Sequence, residues 1–376
     1  MKSGKYIYQQ SGWPDFRIDP ATLQAALSKV RFEQGRLLGR LEAMGHMTRQ
    51  GVELKAVTDE VVESSSIEGE QLDRDEVRSS AARQLGIKVS GLVNSGRDVD
   101  GIVRMMIDAS HDHARPLTKR RLFNWHRMLF PAGRSGWEQI TVGGWRTDEA
   151  GPMQVVSGQP GREKVHFRAP PAASVPAEMD RFLARLEDKR STDPIVKAGL
   201  AHLWFVTIHP FDDGNGRIAR AITELVLARG ESSPRRYYSM SAQIRAERSD
   251  YYDMLESTQK GGLDVTPWLD WFIGCLGRAI ARAGAEQDRL VGVSMFREEM
   301  GRHPLNSRQL KLLERMLAGF EGPMTSGKLV KIGKCSQDTA TRDLKQLAEW
   351  GLLIRGPGGG RSTHYELPNQ LSTFAA

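Results

Sequence analysis

The sequence predicts a mainly α-helical protein that contains one β-hairpin and ends in a smaller unit of three helices and two short strands. Three observations lead to this prediction. Apolar residues recur at helical spacing on both sides of a central stretch, 133–171, that is instead rich in Gly, Pro and short β-type runs. A second helical pattern begins near residue 306. A chain of 376 residues is long for one domain, so two or three domains are expected.

Helical periodicity places a series of segments in the first three quarters of the chain. The predicted helices are 21–44, 52–67, 74–84, 98–109, 118–130, 175–188, 198–208, 217–230 and 266–290. Within the central stretch, residues 154–157 and 164–168 flank the turn GQPGR. Two short runs joined by a Gly-containing turn are typical of a β-hairpin.

Residues 290–303 are interpreted as a linker to a compact unit, 304–376. Its three helical patterns are followed by two short strands around RGPGGGR, which is the order of a winged helix-turn-helix. Ser336 is the expected N-cap of the third helix. The inward stripe of that helix is Ala340, Leu344 and Leu347, and its outward residues are Gln337, Thr341, Arg342 and Lys345.

Charge and composition narrow the possible partners and locations. The net charge of +7 is modest, but residues 301–376 hold eleven Lys and Arg against six Asp and Glu. A basic C-terminal unit is consistent with DNA binding, and docking to a protein is an equally open alternative. No run of about 18 apolar residues occurs, and the first residues lack the apolar core of a signal peptide. A cytoplasmic protein with two reduced cysteines and no membrane contact is therefore expected.

The most informative stretch is HPFDDGNGRIAR, residues 209–220. Gly214 and Gly216 allow the backbone to approach a ligand closely, and the helix that follows presents free N–H groups and a positive dipole end, which suit phosphate. Arg217 and Arg220 lie three residues apart and share one face of the first turn. The residue types therefore predict a phosphate site.

Two further residues of this stretch suit the same chemistry. Asp213 is placed to offer a hard oxygen ligand to Mg²⁺ bridging two phosphates. His209, at the entrance of the loop, is a candidate general base.

At every defined position this stretch matches HPFx[DE]GNGRxxR, and it resembles the signature of Fic-domain proteins. The resemblance implies a helical Fic core and transfer of AMP from ATP to a protein hydroxyl. It further implies that His209 deprotonates the hydroxyl, that Asp213 holds Mg²⁺ and that Phe211 anchors the loop in the core. The phosphate ligands it implies are Gly214, Asn215 and Gly216 as an anion hole, Arg217, and Arg220 for the γ-phosphate.

A second motif lies upstream, at the end of the predicted helix 52–67. Residues 64–69, SSSIEG, resemble the [ST]xxxE[GN] inhibitory motif of the same family, with Ser64 and Glu68 as its defined residues. In that resemblance Glu68 reaches Arg220 and occupies the place of the γ-phosphate. The alternative is a surface glutamate before a helix C-cap glycine.

The resemblance also assigns roles to the hairpin and to a helix after the main motif. The hairpin would be a flap that binds the modified segment of a target by strand addition. The helix 241–256 would cover the adenine, with Tyr251 stacked on the base or, as an open alternative, packed in the core. The expected domains are an N-terminal helical region (1–95) with the inhibitory helix, a Fic core (96–290) and a winged helix-turn-helix (304–376).

The resulting hypothesis is a self-inhibited protein adenylyltransferase that uses ATP and Mg²⁺ on an unknown target protein. The resemblance also implies a homodimer. Three alternatives remain open at this point. They are removal of AMP by hydrolysis, transfer of another nucleotide, and a DNA-binding regulator in which the core senses nucleotides.

Overall fold

The computed structural model describes residues 6–149, 151–158, 162, 164–188, 193–320, 322–357 and 363–368. Over these residues the chain is mainly α-helical, as predicted. The helices are α1 (Pro20–Ala43), α2 (His46–Ile67), α3 (Arg74–Leu85), α4 (Arg97–His111), α5 (Lys119–Leu129), α6 (Val175–Glu187), α7 (Pro194–Ile208), α8 (Asn215–Glu231), α9 (Met240–Ala246), α10 (Arg248–Gln259), α11 (Thr266–Gly301), α12 (Ser307–Leu317), α13 (Ser326–Gly333) and α14 (Gln337–Glu349). The strands are β1 (Arg134–Ser135), β2 (Glu138–Gln139), β3 (Gln154–Ser157), β4 (Lys164–Arg168), β5 (Ile354–Arg355) and β6 (Tyr365–Glu366).

Contacts among residues divide the chain into two compact units, Met1–Ala283 and Gly284–Ala376. In the first unit, α1 to α3 contribute to the same core as the helices that follow them. The centre of that core is α7, which is apolar on all its faces, and the helix after it, α8. A helix of this kind has to be buried, so α7 fixes the position of the loop that follows it.

Local capping explains where α7 begins and where it ends. The Asp193 side chain caps its first turn by accepting 2.7 Å and 3.3 Å hydrogen bonds from the N–H groups of Ile195 and Val196. The helix ends at His209, which adopts the left-handed conformation with φ of 51° while its N–H still donates to the Phe205 carbonyl. A non-glycine residue in this conformation is uncommon and often marks a functional site. Gly214, with φ of 79°, then begins α8.

The predicted hairpin is confirmed: β3 and β4 pair in antiparallel fashion with the predicted boundaries. Gln154 pairs with Arg168, and Ser157 with Lys164. The register shifts between Val155 and Val156, which marks a β-bulge. Most of the predicted turn (residues 159–161) lies outside the described residues.

The second unit contains α12, α13 and α14 followed by the antiparallel pair of β5 and β6. Ser336 caps α14, and the predicted inward stripe of Ala340, Leu344 and Leu347 is fully buried. Much of the predicted wing tip, residues 358–361, lies outside the described residues, so the winged-helix assignment stays a prediction.

The predicted linker 290–303 is wrong over most of its length, because α11 continues to Gly301. Val293, Phe296 and Met300 recur at helical spacing, and Phe296 and Met300 are buried in the core of the second unit. This apolar stripe favours helix over a solvated connection. None of the helices in the described part of the chain is long and apolar enough to cross a membrane.

Candidate active site

The loop between α7 and α8 is held in shape by its own side chains. Asn215 accepts a 3.0 Å hydrogen bond from the N–H of Phe211 and donates a 2.8 Å bond to the Phe211 carbonyl. Asn215 is 2% exposed. Its side chain therefore serves to close the loop, and its contribution to an anion hole is limited to the backbone.

Phe211 is fully buried and anchors the loop, as the resemblance implies. Its ring stacks on the His126 imidazole with a centroid separation of 4.2 Å and an interplanar angle of 12°. Nδ1 of His126 accepts a 3.1 Å hydrogen bond from the Gly143 N–H, which leaves Nε2 to donate to the Asp213 carbonyl at 3.1 Å. Burial lowers the pKa of His126 to about 4, so the ring is neutral and fixes Asp213 by hydrogen bonding.

His209 lies at the α7 end of the loop with its imidazole partly buried. Its Nδ1 is 3.2 Å from the carbonyl oxygen of Val206, an acceptor, so Nδ1 carries the proton and Nε2 holds the lone pair. Burial lowers the pKa of the imidazole below its ordinary value. A neutral imidazole whose Nε2 makes no hydrogen bond to the described residues has the protonation state of a general base.

Asp213 offers an exposed carboxylate beside the start of α8, with its side chain 44% accessible. Its Oδ1 accepts a 2.6 Å hydrogen bond from the Gly214 N–H, and its Oδ2 accepts one from the Ser135 hydroxyl and lies 3.7 Å from Nη2 of Arg217. Among the described residues no group of three or more His, Cys, Asp or Glu side chains could cage a metal. One carboxylate beside a helix N-terminus and a buried arginine fits Mg²⁺, which usually keeps several waters and shares its ligands with substrate phosphates.

Both arginines of the motif are buried, each 2% exposed. Nε and Nη2 of Arg220 each donate a 2.8 Å hydrogen bond to Ser64, the first to Oγ and the second to the carbonyl. Nη2 also donates to Oε1 of Glu68 at 2.8 Å. The structure thus brings Ser64, Glu68 and Arg220 together across the interface between α2 and α8.

The Glu68 carboxylate lies directly on the first turn of α8. A Cβ atom added to Gly216 would lie 2.0 Å from Oε1 of Glu68, so only glycine permits this approach. The side chain of Glu68 is 32% exposed. A carboxylate therefore occupies the helix N-terminus where an anionic ligand is favoured.

Comparison with known proteins agrees with this geometry. Residues 116–227 match the family described as Fic/DOC family, and residues 6–87 match a domain of unknown function, DUF4172. Residues 116–227 are thus similar to a Fic domain. The matched residues include α5, β1 to β4, α6, α7 and most of α8.

Two curated relatives share part of the sequence. A protein adenylyltransferase Fic from Nematostella vectensis is 36% identical over 95 residues, which are 25% of this chain and 20% of the relative. A protein adenylyltransferase fic-1 from Caenorhabditis briggsae is 38% identical over 83 residues, which are 22% of this chain and 15% of the relative. The chain thus spans about a fifth or less of the length of these relatives.

A solved structure resembles most of the chain. A Fic family protein from Desulfovibrio desulfuricans G20 has a TM-score of 0.53 and 22% sequence identity, and the match covers 95% of this chain and 98% of that one. This likeness shows a shared fold.

The prediction that Tyr251 stacks on a base is wrong, and its alternative, core packing, is what the structure shows. Tyr251 is 2% exposed, its hydroxyl lies 2.9 Å from Nε2 of the buried His202, and its ring is 5.7 Å from that of Trp271. A ring packed in this way offers no free face to a base. The neighbouring Tyr252 is 36% exposed and donates a 3.2 Å hydrogen bond to the Ile67 carbonyl, next to Glu68.

The sequence did not predict two further residues of this candidate site, Arg146 and Glu70. Arg146, from the loop before the flap, donates a 2.7 Å hydrogen bond from Nε to the His209 carbonyl. Glu70 accepts a 2.5 Å hydrogen bond from Nη1 of Arg217. Neither residue follows a local pattern, because each contact joins segments that are distant in the sequence.

Proposed function

We propose that the protein is a self-inhibited adenylyltransferase that moves AMP from ATP to a Ser, Thr or Tyr hydroxyl of a target protein. The observation that carries the proposal is the Glu68 carboxylate on the first turn of α8, next to the loop that holds His209. The position of this carboxylate marks an anion site. The carboxylate must move away before a nucleotide can bind there. The names of the relatives support adenylyl as the transferred group.

In the proposed reaction the target hydroxyl gives its proton to Nε2 of His209 while its oxygen attacks the α-phosphorus of ATP. A new bond forms between that oxygen and the α-phosphorus, and the bond from the α-phosphorus to the bridging β-oxygen breaks. Pyrophosphate leaves. Because Nδ1 of His209 faces the Val206 carbonyl, the ring is held with Nε2 available for this proton.

The phosphates would be held by the free N–H groups at the start of α8 and by Arg217 and Arg220. Nε of Arg217 is buried and has no hydrogen-bond partner among the described residues, which is consistent with a ligand that completes it. Mg²⁺, when bound at Asp213, would neutralise phosphate charge. Positioning and charge stabilisation of this kind supply most of the catalysis in phosphoryl transfer.

The flap would position the target. The hairpin of β3 and β4 has only two strands, so each has one unpaired edge in the described residues. An extended segment of a target can pair with such an edge through main-chain hydrogen bonds, which demand little of its sequence. Arg146 ties the flap to the site, because it donates to both the Pro170 and His209 carbonyls.

Labelling of the protein itself tests the proposal and separates it from its rivals. The Glu68→Gly variant is incubated with Mg²⁺ and each nucleoside triphosphate, labelled either at the α- or at the γ-phosphate. Label from α-labelled ATP alone is expected on the protein. Label from the γ-phosphate would indicate phosphate transfer, and label from another base would indicate a different nucleotide. Release of AMP from labelled protein by the wild type but not by the variant would favour hydrolysis.

The partner of the second unit stays a prediction. Arg342 and Lys345 are exposed on α14, whereas Asp343 is buried and paired with Arg308 at 3.0 Å, so its carboxylate is not part of the exposed basic face. A mobility shift that falls with salt and with Arg342→Ala would support DNA binding. A lack of any shift would favour docking to a protein.

A further inference from the structure

The second arginine pair of the site involves a residue outside the inhibitory motif. Nη1 of Arg217 donates to Oε2 of Glu70 at 2.5 Å. The Arg217 side chain is 3% exposed and its guanidinium lies over the Phe130 ring at 5.0 Å. Glu70, in contrast, is 44% exposed. A fixed, buried cation is thus paired with a carboxylate that solvent can reach.

The backbone explains why two carboxylates arrive at the site together. At the end of α2, the Glu70 N–H donates to the Ser65 carbonyl at 3.0 Å and the Gly69 N–H donates to the Ser66 carbonyl at 3.1 Å. This is the Schellman arrangement, with Gly69 in the positive-φ position at 90°. One C-cap therefore sets the positions of the two residues that flank Gly69, namely Glu68 and Glu70.

The two carboxylates match the two arginines one to one. Arg217 and Arg220 lie at i and i+3 on α8, and each is paired with one glutamate of the same C-cap. Two negative charges thus face the two cations that a nucleoside triphosphate would need. Removing Glu68 alone leaves Arg217 still paired.

We propose that Glu70 is a second inhibitory residue of the phosphate site, separate from Glu68. Its carboxylate competes with the nucleotide for Arg217. The proposal rests on the function proposed above, and it extends the regulation of that site to a residue outside the motif. Glu70 acts through Arg217, so it is a positioning residue. Because it competes for a phosphate ligand and lies apart from the base, it raises the KM for ATP and leaves kcat unchanged.

The test compares variants that differ by one charge. Glu70→Gln is introduced in the Glu68→Gly background, with Glu63→Gln, on the last two turns of α2, as the matched control. Binding of a non-hydrolysable ATP analogue with Mg²⁺ is measured by calorimetry, and kcat and KM by self-labelling. The double variant with Glu70→Gln is expected to bind about 2- to 5-fold more tightly than Glu68→Gly alone, because a competing, partly exposed ion pair is lost. KM should fall by the same factor.

A variant that keeps the negative charge at position 70 provides a further check. Glu70→Asp keeps a carboxylate and should retain at least part of the weaker binding, whereas a purely structural role would make Asp and Gln behave alike. Equal affinity of Glu68→Gly and of its Glu70→Gln derivative, with both folded by circular dichroism, would overturn the proposal. Tighter analogue binding without any labelling would instead reject the adenylyltransferase function and keep the role of Glu70.

Discussion

Arg146 and His209 are joined by a 2.7 Å hydrogen bond from the guanidinium Nε to the His209 carbonyl. The same guanidinium donates to the Pro170 carbonyl at 2.5 Å and pairs with Asp148 at 3.1 Å. Arg146 is 3% exposed, so these bonds are formed away from water. One buried side chain therefore connects the flap to the loop that carries the proposed base.

Arg146→Lys should lower kcat while leaving the KM for ATP nearly unchanged. A lysine has one nitrogen and cannot hold three partners in a fixed plane, so the His209 loop would shift. A displacement of about 1 Å can cost about 10²-fold in rate. Self-labelling in the Glu68→Gly background measures the effect, and Arg168→Lys, an exposed arginine on the flap, is the control. An unchanged kcat would show that Arg146 does not position His209.

His209→Ala should abolish transfer and leave ATP binding intact. The arginines and the helix N-terminus hold the phosphates, whereas the proposed role of the imidazole concerns only the incoming hydroxyl. Loss of a general base costs about 10²–10⁴-fold in rate. Labelling and calorimetry on Glu68→Gly/His209→Ala separate the two effects. Labelling equal to that of Glu68→Gly would reject the assignment, and loss of ATP binding would show a structural role.

The pH dependence of kcat/KM should reflect the buried imidazole. Burial lowers the pKa of His209, so its neutral form persists to lower pH than that of a free histidine. Activity that needs the neutral ring is therefore present above this lowered pKa and is lost as the pH falls through it. The acid limb of kcat/KM for Glu68→Gly is expected to have its midpoint below about 6.5. A midpoint above that value would contradict the assignment of His209 as the base.

Asp213→Ala should raise the Mg²⁺ concentration needed for half-maximal labelling, with partial recovery at high Mg²⁺. Asp213 presents an exposed carboxylate to the phosphate site, and a single carboxylate with substrate phosphates is a common way of holding Mg²⁺. Asp212→Ala is the matched control. Oδ2 of Asp212 accepts a 2.8 Å hydrogen bond from the Thr141 N–H, so this carboxylate holds the loop that contains Thr141. The same Mg²⁺ requirement in both variants would remove Asp213 as the ligand.

Much of the secondary structure could be predicted, because periodicity and turn residues are local signals. The strands of the flap were predicted correctly from short runs around a Gly-containing turn, and the inward stripe of α14 from helical spacing. The contact between Glu68 and Arg220 was expected from a family resemblance, since no spacing rule links residues 152 positions apart. Neither a spacing rule nor the family resemblance predicted the pair of Glu70 and Arg217, because this pair depends on how α2 packs against α8.

Local sequence patterns also did not predict which aromatic and apolar side chains are buried. A tyrosine that follows a nucleotide motif can stack on a base or fill the core. The local sequence around Tyr251 is compatible with both roles and does not distinguish them. The packing of Tyr251 against Trp271 decides in favour of the core. The position at which α11 ends could not be predicted for the same reason, because it depends on the burial of Phe296 and Met300 in the core of the second unit.

Self-labelling by wild type, Glu68→Gly and Arg220→Ala with α-labelled ATP tests most directly whether Glu68 blocks a working transfer site. Glu68→Gly removes the competing charge and frees Arg220, so labelling should rise well above wild type. Arg220→Ala breaks the same pair but also removes a phosphate ligand, so it should not activate. Equal labelling by wild type and Glu68→Gly, both correctly folded, or activation by both substitutions, would contradict inhibition at this site.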